Sequence, residues 1–316
     1  MMTAGSTELQ RCASIKFCIT RRHFLLEIGY GWDVTTVLVR YCEIGLKSTP
    51  VRRKFETNLR DNILSMLASD HVEALLHMGD ARLYLESEDI GGCVAALKKV
   101  FGIASISVAE VCTSDMEDIC RTAAEYSKSR ISPGDSFTVR ARRQGSHPYN
   151  SMQVGEQAGS AIYLANEDKG ISVNLTDPDK IIYIEIRNNL AYIFDSYITC
   201  PGGLPMGSQG KVLAEIDGDR SVVSAWTMMR RGCRVIVTGD GDTSVLEMYD
   251  PSLRRLSGNE SKSFMSDLLA KVSGASVDTV SDYDYGDYSL PVFFPTVGMT
   301  EEETSDLLAH IRSSDF

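Results

Sequence analysis

The sequence contains no run of about 18 apolar residues, so it offers no segment that would span a bilayer as a helix. It has no Cys-x-x-Cys pair and no cysteine near a histidine at zinc spacing, so no metal site is expected. The first residues, MMTAGSTELQRCASIKFCIT, hold no continuous apolar stretch before a small-residue cleavage site, and a secretory leader is not expected. The eight cysteines (Cys12, Cys18, Cys42, Cys93, Cys112, Cys120, Cys200, Cys233) therefore read as reduced cytoplasmic thiols that fill the core. Cys200, ahead of Pro201-Gly202-Gly203, is the one expected at the surface. Histidine is scarce, at five, and no Ser/His/Asp or Cys/His arrangement marks a nucleophile, so no catalytic residue is assigned.

What is present is charge, unevenly spread. The net charge of −11 argues at first against a polyanionic partner. From residue 239 onward, however, fifteen acidic residues face five basic ones. Residues 34–60 carry Arg40, Lys47, Arg52, Arg53, Lys54 and Arg60 against Glu43 and Glu56. Residues 128–147 carry Lys128, Arg130, Arg140, Arg142 and Arg143 against Asp135 alone. Local fields decide where a polyanion lands, so the asymmetry matters more than the sum.

Residues 1–33 show no clear period and read as a loosely ordered extension. After it, VTTVLVRYCEI reads as a strand. In STPVRRKFETNLRDNILSML, Val51, Phe55, Leu59, Ile63 and Leu67 recur every four residues behind Pro50, the pattern of an amphipathic helix. With strands at HVEALLHMG, ARLYLES and ASISVAEV and a helix at GGCVAALKKVFG, the order is βαββαβ, the ferredoxin-like arrangement. A second unit follows: a helix at SDMEDICRTAAEYSKSR, an alternating strand SFTVRARR, a helix at SMQVGEQAGSAIYLA, a strand at GISVNLTD, and a hairpin in KIIYIEIRNNLAYIF turning at Asn188-Asn189. CPGGLPMGSQG reads as an interdomain connection. Beyond it, strands KVLAEI, CRVIVTG and LPVFF and helices at RSVVSAWTMMRRG, SKSFMSDLLAKVSG and EEETSDLLAHIR imply a small parallel sheet, with Thr300 and Glu303 as a capping box. DYDYGDY, residues 282–288, reads as a loop. The fold class is α/β, with an α+β N-terminal half.

The segment TVRARRQGSHPYNS is the most suggestive. Alternation puts Arg140 and Arg142 on one strand face, and Arg143, His147 and Tyr149 follow in a loop. Guanidinium groups bind phosphate bidentately, and an aromatic ring can stack on an unpaired base. Lys47, Arg52, Arg53, Lys54 and Arg60 add a second basic stretch, although a basic outer face is common on amphipathic helices. Glu43 and Glu185 read as ion-pair partners on strand faces rather than as an acid/base pair.

Together, VLVRYCEIGLKS…RRKFETNLRDNI, FGIAS, FTVRARRQGSHPYNS, VNLTDPDKIIYIEIRNNLAYIF and GGLPMGSQGKVL resemble the tRNA 4-thiouridine synthetases, also called thiamine-biosynthesis sulfurtransferases. The resemblance implies a ferredoxin-like domain at 34–96, a THUMP domain at 97–200 and a PP-loop-like α/β domain at 201–316. It implies a cytoplasmic protein whose first two domains grip tRNA and whose third adenylates a uridine so that sulfur can replace its oxygen. It also admits a homodimer, and the acidic C-terminal domain suggests a protein partner.

The family's phosphate loop, Ser-Gly-Gly-x-Asp-Ser, is replaced here by Asp217-Gly218-Asp219-Arg220-Ser221, one residue shorter. A phosphate loop needs small residues whose amides converge at a helix N-terminus. Asp217 or Asp219 would instead cap that helix, and each repels a triphosphate by about 4 kcal/mol at ~4 Å and an effective dielectric of ~20. No cysteine follows Cys233 to serve a sulfur relay. The expectation is a tRNA-binding protein without adenylation and without a cofactor. An active sulfurtransferase, with ATP and Mg²⁺ held by Asp217, Gly218, Asp219 and Ser221, is the alternative.

Overall fold

The computed structural model describes residues 35–41, 43–79, 82–256, 267–285 and 290–316, and the expected extension lies outside them. The β-branched run Thr35–Arg40 forms β1. Thr49–Ser69 follows as helix α1, with Pro50 in its first turn. Phe55, Leu59, Ile63 and Leu67 are buried along one face as the four-residue period requires, while Val51 at the helix start is exposed. The helix stops where His71 turns left-handed at φ 57° and Val72 N–H returns to the Leu67 carbonyl. Strands β2 (Leu75–Gly79) and β3 (Arg82–Glu86), helix α2 (Ile90–Leu97) and strand β4 (Ser105–Thr113) complete βαββαβ.

The second unit runs α3 (Met116–Lys128), β5 (Ser136–Gln144), α4 (Ser151–Ala165), β6 (Ser172–Val173), β7 (Lys180–Arg187), β8 (Leu190–Phe194) and β9 (Ile198–Thr199). GISVNLTD contributes only the two residues of β6 to the ladder. Met116, Ile119, Ala123 and Tyr126 face the core from α3, as their spacing requires. Gly155 and Gly159 face β5 from α4, where an added Cβ would make ordinary contacts of 3.7 and 3.9 Å with Val139. Asn188 takes φ 53° in the two-residue turn between β7 and β8.

These units do not keep separate sheets. The strands run β2-β3-β1-β4-β8-β7-β5-β6, with β9 beside β4, nine strands in all among the described residues. β4 pairs with β1 on one side and β8 on the other, so the sheet has no break where the first unit ends. Packing on the helix side forms two cores, one around α1 and α2 and one around α3 and α4. The opposite side holds Leu38, Tyr84, Ala109, Tyr192 and Phe194.

A buried carboxylate crosses the seam. Glu185 on β7 meets Arg40 of β1 at 3.1 Å, Arg82 of β3 at 3.4 Å and Arg187 of its own strand at 2.6 Å. Arg40 also donates to Ser107 Oγ, which donates to the Ser196 carbonyl. Burial would push the Glu185 carboxyl up, but Arg40, Arg187 and Arg82 outweigh it and hold it below the ordinary glutamate range. This matches the ion-pair role expected of Glu185, whereas Glu43, expected in the same role on a strand, is exposed in the 3-10 turn Glu43–Leu46 with no ion pair among the described residues.

The third domain comprises β10 (Lys211–Glu215), α5 (Asp219–Arg230), β11 (Arg234–Thr238), a short α6 (Ser244–Glu247), β12 (Arg254–Arg255), β13 (Leu268–Val272), β14 (Val292–Phe293) and α7 (Glu301–Ser313). Its five strands are all parallel, in the order β12-β11-β10-β13-β14. Thr300 and Glu303 form the expected capping box. The helix expected at SKSFMSDLLAKVSG is corrected: Leu268–Val272 is the strand beside β10. Residues 282–285 carry no strand or α-helix, and 286–289 of DYDYGDY lie outside the described residues.

The Gly/Pro-rich connection is packed rather than slack. Gly102 N–H donates to the Gly202 carbonyl, Leu204 N–H to Arg230, and Gln209 N–H to Gly232. Phe101, from the loop after α2, inserts into the third domain's core, 5.3 Å from the Tyr249 ring and 5.5 Å from Trp226. Cys200 is buried there, a correction to its expected exposure, and burial pushes its thiol up to about 12. Cys93, Cys112 and Cys233 are buried too, and Cys120 is partly so.

Glu185→Gln is expected to destabilise the protein by about 3–5 kcal/mol at neutral pH, because three arginines lose their shared anion. In the wild type, the carboxylate's contribution is present above the ordinary glutamate pKa of about 4.3 and fades as pH falls through the depressed folded value. Urea melts between pH 3 and pH 7 check this: the gap between wild type and variant should close toward the acid end.

Candidate functional site

Two surfaces stand out in the sequence, one basic and one at the shortened phosphate loop. On the first, β5 projects Arg140 and Arg142 to the exterior, beside Tyr183 and Glu185 of β7 in the parallel register. Among the described residues neither arginine has an ion-pair or hydrogen-bond partner. β5 therefore presents guanidiniums that no carboxylate of the described residues neutralises.

The loop residues differ. Arg143 donates to the Gly145 carbonyl at 2.9 Å and lies 3.5 Å from His147 Nδ1. His147 meets the Asn188 carbonyl through Nε2 and stacks on Tyr149 at 5.3 Å. The Tyr149 hydroxyl donates to the Ser114 carbonyl. Arg143, His147 and Tyr149 thus brace the loop against the β7–β8 turn and the start of α3, and the two rings face each other.

Before and along α1, Lys47, Arg53 and Lys54 are exposed without a partner among the described residues, whereas Arg52 pairs with Glu56 at 3.0 Å and Arg60 with Asp61 at 2.7 Å. Arg52 and Arg53 stand near the start of the helix, whose first turn has no acidic residue and no side-chain cap from Ser48. Cations at a helix N-terminus oppose the macrodipole by about 0.3–1 kcal/mol each, so this end is positive twice over.

The second surface lies at the carboxyl ends of the parallel strands. Because β11 and β13 flank β10 on opposite sides, the loop after β10 sits at the switch point where open α/β sheets bind ligands. The cap there is neither aspartate, correcting that expectation. Ser221, buried on the first turn of α5, folds its hydroxyl back: Oγ accepts from Asp217 N–H at 3.0 Å and Gly218 N–H at 3.1 Å, and donates to the Gly218 carbonyl at 2.7 Å. Asp217 and Asp219 are exposed, Asp219 lying 3.8 Å from Arg312. Arg220 is held by the Thr296 and Met299 carbonyls and Glu301.

The crevice beside this turn is narrow. Gly274, just beyond β13, lies so close to α5 that an added Cβ would fall 2.6 Å from Ser221 N and 2.7 Å from its Cα. On the other flank, Gly241 N–H donates to the Ile216 carbonyl at 2.9 Å, and Arg255 clamps the Gly239 and Gly241 carbonyls.

Comparison with known proteins fits this architecture. A profile of the ThiI ferredoxin-like domain matches residues 36–107, and one of the THUMP domain matches 113–194. The chain is therefore a THUMP-domain protein with a ThiI-type ferredoxin-like domain in front. Over 211 residues it is 41% identical to a probable tRNA sulfurtransferase of Methanosarcina acetivorans, an alignment covering 66% of this chain and 51% of that one. The chain spans about half the length of the curated relatives it matches. Among solved structures it resembles PH1313 from Pyrococcus horikoshii Ot3, with a TM-score of 0.74 at 25% identity over 88% of this chain and 99% of that one. A 4-thiouridine synthetase–RNA complex with bound ATP shares the fold, with a TM-score of 0.71 at 20% identity over 89% and 86%. Over its first two domains the chain is similar to probable tRNA sulfurtransferases.

Ser221→Ala is expected to cost about 1–3 kcal/mol, since two amides and a carbonyl lose their common partner. Gly274→Ala should cost a similar amount by overpacking against backbone. Chemical denaturation of both variants checks this, with unchanged m-values marking a pure stability effect.

Proposed function

We propose that this chain binds tRNA through its ferredoxin-like and THUMP domains, and that its third domain does not adenylate the RNA. The observation that carries the first part is the pair Arg140 and Arg142, exposed without partners on a domain that matches THUMP. Unpaired guanidiniums present a planar fork that matches phosphate oxygens two at a time and need break no existing ion pair to do so, and folded RNA is read by its shape and backbone. The cations of α1 extend the same chemistry.

The second part rests on the closed turn. The amides of Asp217 and Gly218 are taken by Ser221, and Gly274 lies against the helix start that a triphosphate would approach. Two exposed carboxylates add repulsion. The residues present do not fit a triphosphate, and no step through ATP follows from them. One feature favours the alternative of an active sulfurtransferase: the strand order keeps the switch point where nucleotides bind.

Filter binding of a tRNA transcript to Arg140→Ala/Arg142→Ala/Arg143→Ala is expected to show affinity lowered tenfold or more. The salt dependence should become shallower, by about 0.7–0.9 for each phosphate no longer neutralised. Unchanged affinity and slope would reject the basic surface. Calorimetry with ATP and Mg²⁺ is expected to give no heat of binding, and a saturable isotherm would restore the enzyme reading.

A further inference from the structure

The exposed aromatic that the basic surface needs is absent from the loop where the sequence places it, since Tyr149 and His147 are stacked on each other. Another ring meets the requirement. Tyr197 lies between β8 and β9, with about 40% of its surface exposed. It is fixed by edge-to-face contacts with Tyr183 at 4.8 Å and Phe194 at 5.2 Å. The Arg40 guanidinium, anchored on Glu185, stands 4.6 Å from its centroid. Its hydroxyl has no hydrogen bond among the described residues.

Sheet register connects this ring to the unpaired arginines. Arg140 stands beside Tyr183, the residue Tyr197 packs against, and Arg142 stands beside Glu185, which holds Arg40. Arg40 and Arg142 are both near enough to act electrostatically on the Tyr197 hydroxyl. A ring held by two aromatic edges and a cation loses little freedom when something lies on its exposed surface. Two free guanidiniums nearby provide for the phosphates flanking whatever does so.

We propose that Tyr197 is the base-stacking residue of this surface, receiving an unpaired nucleobase of the bound RNA while Arg140 and Arg142 hold its backbone. The inference rests on the RNA-binding reading above and adds to it: the surface distinguishes RNA with an accessible unpaired base from a fully paired helix. Stacking is indifferent to base identity, because every base has a π-face, so Tyr197 contributes affinity for unpaired nucleotides rather than sequence preference. A protein side chain on the same ring is the competing occupant.

The test uses the full chain with two probes, a tRNA transcript and a blunt, fully paired RNA duplex, each titrated across a salt series. Tyr197→Leu, which keeps apolar packing on Tyr183 and Phe194, and Tyr197→Ala should each weaken tRNA binding roughly 5- to 100-fold. Duplex binding and both salt slopes should not change. Tyr197→Phe should stay within about twofold of wild type. Thermal melts identify a variant that has lost its fold, and Tyr197→Leu then carries the test in place of Tyr197→Ala. If Tyr197→Leu binds tRNA like wild type while the triple arginine variant does not, stacking is wrong and the RNA reading stands; a protein occupant is then favoured. Equal weakening on both probes, or a changed slope, would mean that Tyr197 only props Arg40 and Arg142, which also overturns the inference. If neither the Tyr197 variants nor the arginine variant alters binding, the RNA reading fails as well.

Discussion

Across the sheet that joins the two leading domains, one buried carboxylate fixes the strand register. Glu185 sits in the nine-stranded sheet where guanidiniums from β1, β3 and β7 converge on it. Desolvating four charges is expensive, and a hydrophobic seam of equal volume would be as stable or more so. What the charged seam adds is register: Arg40 reaches Glu185 only if β1 and β7 hold their present offset across β4 and β8. A slip by one residue would turn these side chains to the helix-covered side. The spacing between α1 and β5 is thereby fixed, which the proposed reading of folded RNA by its shape would require.

The third domain shows the opposite arrangement. Its scaffold is intact, with five parallel strands, a buried Trp226 and a capped last helix, while the turn at its switch point is closed on itself. Fold and site are separable, so the packing of the domain can be considered apart from any chemistry at its turn. One structural role is visible in Phe101, which lies within the ferredoxin-like match at 36–107 and is buried in the third domain's aromatic cluster. Lys98 pairs with Asp315 and Asn62 donates to the Met206 carbonyl along the same boundary. Removing the domain would expose Phe101 and strip α1 of a partner, so its packing is needed whatever its chemistry.

Much of this was legible in the residues. The four-residue period of α1, the alternation of β5, the Asn188 turn and the Thr300 cap are local properties, and each appears where its pattern put it. The strand Leu268–Val272 was not, because Leu, Ala and Lys are good helix formers and the segment lacks alternation. Its strand state comes from pairing with β10, which is distant in sequence. Cys200 looked exposed because glycine and proline surround it, yet backbone hydrogen bonds stitch that stretch between two domains. The cap of α5 was expected from the stronger acceptors, Asp217 and Asp219, and fell to Ser221 because only its hydroxyl can accept two amides and still donate. Tyr197 gave no signal: DSYITC has no basic neighbour, and its arginines arrive from β1 and β5 through the sheet.

The charge distribution ties these threads together. A chain of net charge −11 still offers arginines to a polyanion because exposed charges act over only about 8 Å at physiological ionic strength. Beside β5, the carboxylate that registers with Arg142 is Glu185, and it is already committed to three other arginines. Four acidic residues of the third domain lie on the side of the closed turn instead: Asp217 in the loop after β10, Asp219 at the start of α5, and Asp240 and Asp242 in the loop after β11. A phosphate approaching that end meets carboxylates and a turn whose Asp217 and Gly218 amides are already bonded; one approaching β5 meets guanidiniums without a partner among the described residues. The asymmetry first visible as a count of residues thus becomes a direction, drawing a polyanion to the sheet and away from the turn after β10.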